Sequence, residues 1–102
     1  MTLEEVKKLF QSDEMQELCR QYGVARLSVF GSTARNEATE QSDLDLLVSF
    51  LESKRIGLWE FIALEDKLTQ AAKHKVDLVS ESALSPHRSE GVLRDKQLIY
   101  GA

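Results

Sequence analysis

Cys19 is the only cysteine in the 102 residues, so no disulfide can form within the chain. That thiol falls in an apolar helical pattern, which marks it as a buried packing residue. With one cysteine and two histidines, His74 and His87, a structural zinc site inside one chain has too few ligands. The two histidines have no partner pattern and are expected at the surface. No apolar stretch is long enough to span a bilayer. The segment from Met1 to Lys8 is charged and has neither an apolar signal core nor a small-residue cleavage site. A cytoplasmic location is the resulting expectation. Internal repeats and low-complexity segments are missing too. Thirteen basic residues stand against 17 acidic ones, for a net charge of −4. This balance argues against stable, sequence-independent nucleic-acid binding, which needs a basic surface. It suits a site of carboxylates that would meet phosphates through divalent cations.

The remaining composition is that of an ordinary globular protein, 42% hydrophobic and 29% charged. A chain of this length can bury one core, so one domain over residues 1–102 is expected. Thr2 and Glu5 form a capping-box pattern ahead of Leu3, Val6, Leu9 and Phe10 at helical spacing. Asp13 with Gln16 opens a second helix, carrying Met15, Leu18, Cys19 and Tyr22 and ended by Gly23. Leu27 to Phe30 reads as a first strand, stopping at Gly31-Ser32. Thr33 to Gln41 is a helical turn followed by a loop, and Leu44 to Phe50 is a second strand. Glu52-Ser53-Lys54-Arg55 is a solvated loop before the next helix. Gly57 to Ala72 places Leu58, Phe61, Leu64, Leu68 and Ala71 on one helical stripe, with Trp59 expected as a packing residue. Val76 to Val79 is a third strand. Ser85-Pro86 starts a last helix to about Asp95. Leu98-Ile99-Tyr100 closes the chain as an extended tail. The fold class is α/β (α+β): a small mixed sheet of three or four strands with helices packed on it.

Three acids carry the chemistry. Asp43 and Asp45 are two apart, so on a strand they share a face, with Cα atoms roughly 6.6–6.8 Å apart. Leu44, Leu46 and Val48 then point into the core. Like charges so close need a cation between them, and magnesium favours hard oxygen ligands. Asp77 lies between Val76 and Leu78, and a strand beside the second would bring it to the same face. Three acids from neighbouring strands suggest a two-metal phosphoryl-transfer site. Gly31-Ser32 stands where a strand gives way to a helical turn. Free N–H groups there can bind an anion, glycine permits close approach, and the serine hydroxyl can donate. Arg35, one turn on, could reach a phosphate or brace the loop.

The segments Gly31-Ser32-Thr33-Ala34-Arg35-Asn36-Glu37-Ala38 and Ser42-Asp43-Leu44-Asp45-Leu46-Leu47-Val48, with a later Asp77, resemble the DNA polymerase β-like nucleotidyltransferase superfamily. The form looks like its minimal nucleotidyltransferase (MNT) branch, from about Val24 to Val79. One departure is Asn36, where the family commonly has glycine. Asparagine tolerates left-handed backbone, so the turn should survive. The resemblance implies that Asp43 and Asp45 bridge two Mg²⁺ ions on a nucleoside triphosphate. It implies that Asp77 holds the ion that activates an acceptor hydroxyl. It further implies an antitoxin paired with a HEPN-type toxin, transferring AMP from ATP to a toxin tyrosine. Two other functions remain open on the residues: neutralisation of a partner by contact alone, and nucleotidyl transfer to a small molecule such as an aminoglycoside. A partner contact is expected on the N-terminal helices or the C-terminal tail.

Overall fold

The computed structural model describes residues 1–101, residue 88 by its backbone alone. Helix α1 (Leu3–Leu9) opens on the expected capping box: the Glu5 N–H donates to Thr2 Oγ1 at 3.2 Å, and the Thr2 N–H donates to Glu5 Oε1 at 2.9 Å. Helix α2 (Asp13–Gln21) is capped one residue earlier than the sequence suggests, by Ser12, which accepts from the Met15 N–H. A left-handed Gly23 (φ +68°) ends it. Strand β1 (Val24–Phe30) is three residues longer at its start than the apolar pattern indicates. Then follow α3 (Gly31–Ala34), β2 (Leu44–Phe50), α4 (Leu58–Ala72), β3 (Val76–Ser80), a short 3-10 turn, α5 (Pro86–Asp95) and β4 (Gln97–Gly101). The extended closing segment is thus a fourth strand, paired with β1.

The four strands form one mixed sheet in the order β3-β2-β1-β4. β1 runs antiparallel to both β2 and β4, and α4 is the crossover that makes β3 parallel to β2. The period-2 pattern divides the sheet into two faces. Leu27, Val29, Leu44, Leu46, Val48, Val76 and Leu78 join residues of α1, α2 and α4 in the main core. Phe30 and Leu47 lie on the opposite face with Val92 of α5, in a much smaller cluster flanked by Val79 and Leu84. One face is therefore a full helix-covered layer, and the other is covered only in part.

The β3 edge is closed by side chains of α4. The Val76 N–H donates to Thr69 Oγ1 at 3.1 Å, and the Leu78 N–H donates to Glu65 Oε2 at 2.9 Å. Donors that would otherwise invite another strand are satisfied from the helix above. Among the described residues, no helix is long and apolar enough to cross a membrane.

Candidate active site

Phe30, Asp45 and Asp77 stand side by side on three adjacent strands, paired Phe30 with Asp45 and Asp45 with Asp77. Neighbouring strands lie roughly 4.8 Å apart, so register alone sets the two acids next to one another on the less covered face. Both are the second residue of their strand, at the end of the sheet where β1 stops and α3 begins. Asp45 is half-buried and Asp77 is exposed. The alternation that sends Asp45 to this face sends Leu44 and Leu46, both fully buried, to the core.

Gly31 fixes where the Asp45 carboxylate can lie. Its φ is +72°, and a Cβ built on it would fall onto that carboxylate, 3.3 Å from Cγ and 3.5 Å from Cβ of Asp45. Only glycine satisfies both the left-handed backbone and the close approach. Ser32 follows in the first turn of α3, half-exposed beside this corner. The turn then closes on Asn36, which is left-handed with φ 58°. The Asn36 N–H donates to the Thr33 carbonyl at 3.1 Å and the Glu37 N–H to the Ser32 carbonyl at 2.8 Å, a Schellman arrangement. Asparagine therefore keeps the left-handed turn expected at this position.

Asp43 precedes β2 instead of lying within it, and its place is set from both sides. Ser42, just before it, donates its N–H to the Thr39 carbonyl at 3.1 Å and accepts the Thr39 N–H on Oγ at 3.0 Å. The Ser42 carbonyl is met by His74 Nε2. Leu44, just after it, donates its N–H to the Lys75 carbonyl at 2.8 Å. Lys75 Nζ approaches the Asp43 carboxylate at 4.0 Å, an exposed pair worth little by itself. His74 is thus a half-buried, bonded residue; reading it as a surface histidine missed it. Its signal was only its place between a helix end and the third acid's strand. His87 is exposed as expected.

The Arg35 guanidinium joins α3 to α5. It donates to Asp95 Oδ2 at 3.0 Å and to Glu37 Oε1 at 3.3 Å, and these bonds, Asp95 first, raise its pKa further. These contacts are those of a brace between α3 and α5. Trp59 overturns the packing expectation: it is 81% exposed, beside Leu58, also exposed, on the first turn of α4. The apolar residues of α1 and α2 are mostly spent in the core; the exposed large apolar side chains are Leu58, Trp59 and Ile62 of α4, Leu51, Leu93, and Leu98 on the C-terminal strand. Cys19 is fully buried, and burial pushes its thiol up to about 11.

Backbone placement brings Asp43, Asp45 and Asp77 to one corner. Among the described residues, no three His, Cys, Asp or Glu side chains are drawn together as a metal cluster. Asp43 leans toward Lys75 and Asp45 lies against Gly31. The donor set at the corner is all carboxylate oxygen, the chemistry that suits Mg²⁺, and the Gly31 approach leaves room that a side chain would fill.

The family profile described as nucleotidyltransferase domain matches residues 12–99. This chain belongs to the nucleotidyltransferase family. Protein adenylyltransferase MntA of Thermococcus cleftensis is 40% identical over 95 residues, 93% of each chain. A solved minimal nucleotidyltransferase is also 40% identical, with a TM-score of 0.76 and 95% of each chain covered. The structure of a tri-AMPylated HEPN toxin of Shewanella oneidensis in complex with an MNT antitoxin contains a chain of the same fold. There the TM-score is 0.67 at 20% identity, over 94% of this chain and 73% of that one. The nucleotidyltransferase is thus a member of the minimal branch, an enzyme family, with the mixed sheet that its sequence implied.

Proposed function

We propose that the protein is a Mg²⁺-dependent adenylyltransferase that moves AMP from ATP to a tyrosine hydroxyl of a HEPN-type toxin, and so acts as its antitoxin. The observation that carries this is the Asp45–Asp77 register beside the Gly31 turn. The identity to an adenylyltransferase over nearly the whole chain supports the reaction class. The MNT–HEPN complex of the same fold supports the partner class.

Asp43, Asp45 and Asp77 would hold two Mg²⁺ ions. Bound there, the ions neutralise the triphosphate and acidify the acceptor hydroxyl. The rest falls to the chain. Gly31 lets the β- and γ-phosphates approach the backbone, and the Ser32 hydroxyl donates to them. Arg35, tied to Asp95 and Glu37, keeps that turn in place against α5. Asp77 takes the proton of the acceptor hydroxyl. The acceptor oxygen then bonds to the α-phosphorus as the bond to the β-phosphate breaks, and pyrophosphate leaves. Positioning and electrostatics supply the rate, with no covalent enzyme intermediate.

The test is transfer of label from α-³²P-ATP, with Mg²⁺, to a HEPN toxin encoded beside this gene. The native protein should label the toxin, and Asp45→Asn should not while keeping the same circular dichroism. Equal labelling by the folded variant would remove Asp45 from the chemistry. Neutralisation without label would leave contact as the means of protection. Label on a small hydroxyl compound alone would move the acceptor.

A further inference from the structure

We propose that His74 is a positioning residue: through the Ser42 carbonyl it fixes the backbone that aims Asp43 into the site. The proposal rests on the reading of Asp43 as a carboxylate that holds the metal and triphosphate. A carbonyl oxygen can only accept, so Nε2 of His74 carries the proton and donates to it. That carbonyl belongs to the peptide plane before the Asp43 Cα. The plane after it is held by the neighbouring residue, whose carbonyl accepts the Leu44 N–H at 2.8 Å. Two consecutive residues, His74 and Lys75, therefore pin the two planes that set φ and ψ of Asp43.

The clamp is possible because α4 ends abruptly. Lys73 is left-handed with φ 54°, and the His74 N–H donates back to the Thr69 carbonyl at 3.3 Å. This turns the chain so that His74 faces Ser42, 32 residues away in sequence, immediately before β3 begins. The loop on the other side needs such an anchor. Residues 35–43 contain no strand, and Asp43 and Gln41, two residues before it, are exposed. Asp45, by contrast, is held within the β1–β2–β3 register and against Gly31. His74 gives Asp43 the fixed backbone that Asp45 obtains from the sheet.

The experiment compares native protein with His74→Gln, His74→Asn and Asp43→Ala. The Gln amide reaches about as far as Nε2, and the Asn amide stops short of it. Melting temperature, the Mg²⁺ dependence of AMP transfer to the HEPN toxin, and hydrogen exchange at the Leu44 amide are measured on each. His74→Asn should melt close to native, raise the half-saturating Mg²⁺ about five- to tenfold, the effect of one hydrogen bond, and speed Leu44 exchange. His74→Gln should restore both. His74→Met, which keeps the bulk without the donor, carries the same expectation as the Asn variant and replaces it if that variant does not fold. Native Mg²⁺ dependence and exchange in the donorless variant, or a Gln variant as impaired as it, would overturn the proposal. Asp43→Ala separates the two layers. If it transfers AMP at the native rate, the role of Asp43 itself fails. If it is inactive while the donorless His74 variant is native-like, only the clamp fails.

Discussion

Replacing Gly31 by alanine should damage catalysis far more than stability, and the structure gives both sizes. At φ +72° an L-residue pays about 1–2 kcal/mol for left-handed backbone. A stiffer unfolded chain returns about 0.4–1 kcal/mol of that. The new methyl group also falls onto the Asp45 carboxylate. That carboxylate ends a short side chain and can swing aside, so the collision shows as a displaced group more than as lost folding energy. Net destabilisation should be about 1 kcal/mol, a fall in Tm on the order of 4–8 °C for a chain of this size. Transfer should fall about 100-fold, because misplacement by roughly 1 Å is enough for that. Urea melts and the labelled-ATP assay, run below the variant's transition, separate the two effects. Asn36→Gly is the matched control, since Asn36 is also left-handed but exposed. It should keep native transfer and gain a few tenths of a kcal/mol. An alanine variant with native stability and rate would refute the close approach. Lost stability with full transfer would show that the carboxylate displaced from Gly31 is not the one that matters.

Stability should decline in alkali through Cys19. Burial raises the thiol from 9.0 to about 11, so the folded chain keeps its proton where the unfolded chain loses it. The contribution is complete below about pH 9 and is lost as pH rises toward 11, roughly 2–3 kcal/mol in all; urea midpoints of native and Cys19→Ala proteins over that range should converge. Lys73→Gly should raise stability by about 0.5 kcal/mol, because a left-handed lysine is replaced by the residue that takes φ 54° freely; a lower urea midpoint would contradict it. Glu65→Ala should cost about 1–2 kcal/mol by removing the acceptor of the Leu78 N–H, and should increase self-association in light scattering because the β3 edge is then open.

The parts of the site that were legible in the sequence are those encoded by local spacing. Alternation around Leu44, Asp45 and Leu46 assigns faces without any knowledge of the fold. The Gly31-Ser32 step after an apolar strand marks the turn in the same way. What escaped is bonded across long sequence separations. Nothing near His74 reveals Ser42, and nothing near Arg35 reveals Asp95, 60 residues on. Leu98 to Tyr100 reads as a tail because its partner strand, β1, lies at the other end of the chain. Trp59 illustrates a different limit. Periodicity correctly finds the α4 stripe through Leu64 and Leu68, which are fully buried. It does not say how far along the helix the cover extends, and Leu58 and Trp59 in the first turn of α4 are in solvent.

The unequal faces of the sheet explain why carboxylates can gather here at all. Burying an unpaired charge costs several kcal/mol, so a row of acids cannot sit under a helix layer. α1, α2 and α4 cover one face and take nearly all the apolar side chains. Among the described residues, the other face carries the small Phe30–Leu47–Val92 cluster beneath α5. Along β2 that face passes from Leu47, in the cluster, to Asp45 at its margin and Asp43 beyond the strand. The acids begin where cover stops, at the margin of the sheet. Asp45 and Asp77 share the β2–β3 register, Asp45 lies against Gly31 as well, and Asp43 is set by the turn after α4. A substitution at Gly31 or at His74 should therefore misplace one carboxylate and leave the other two aimed. The variants at Gly31 and His74 should accordingly combine close to additively in their effects on stability, since they share no contact. Their effects on transfer should not, because both act on one set of ligands.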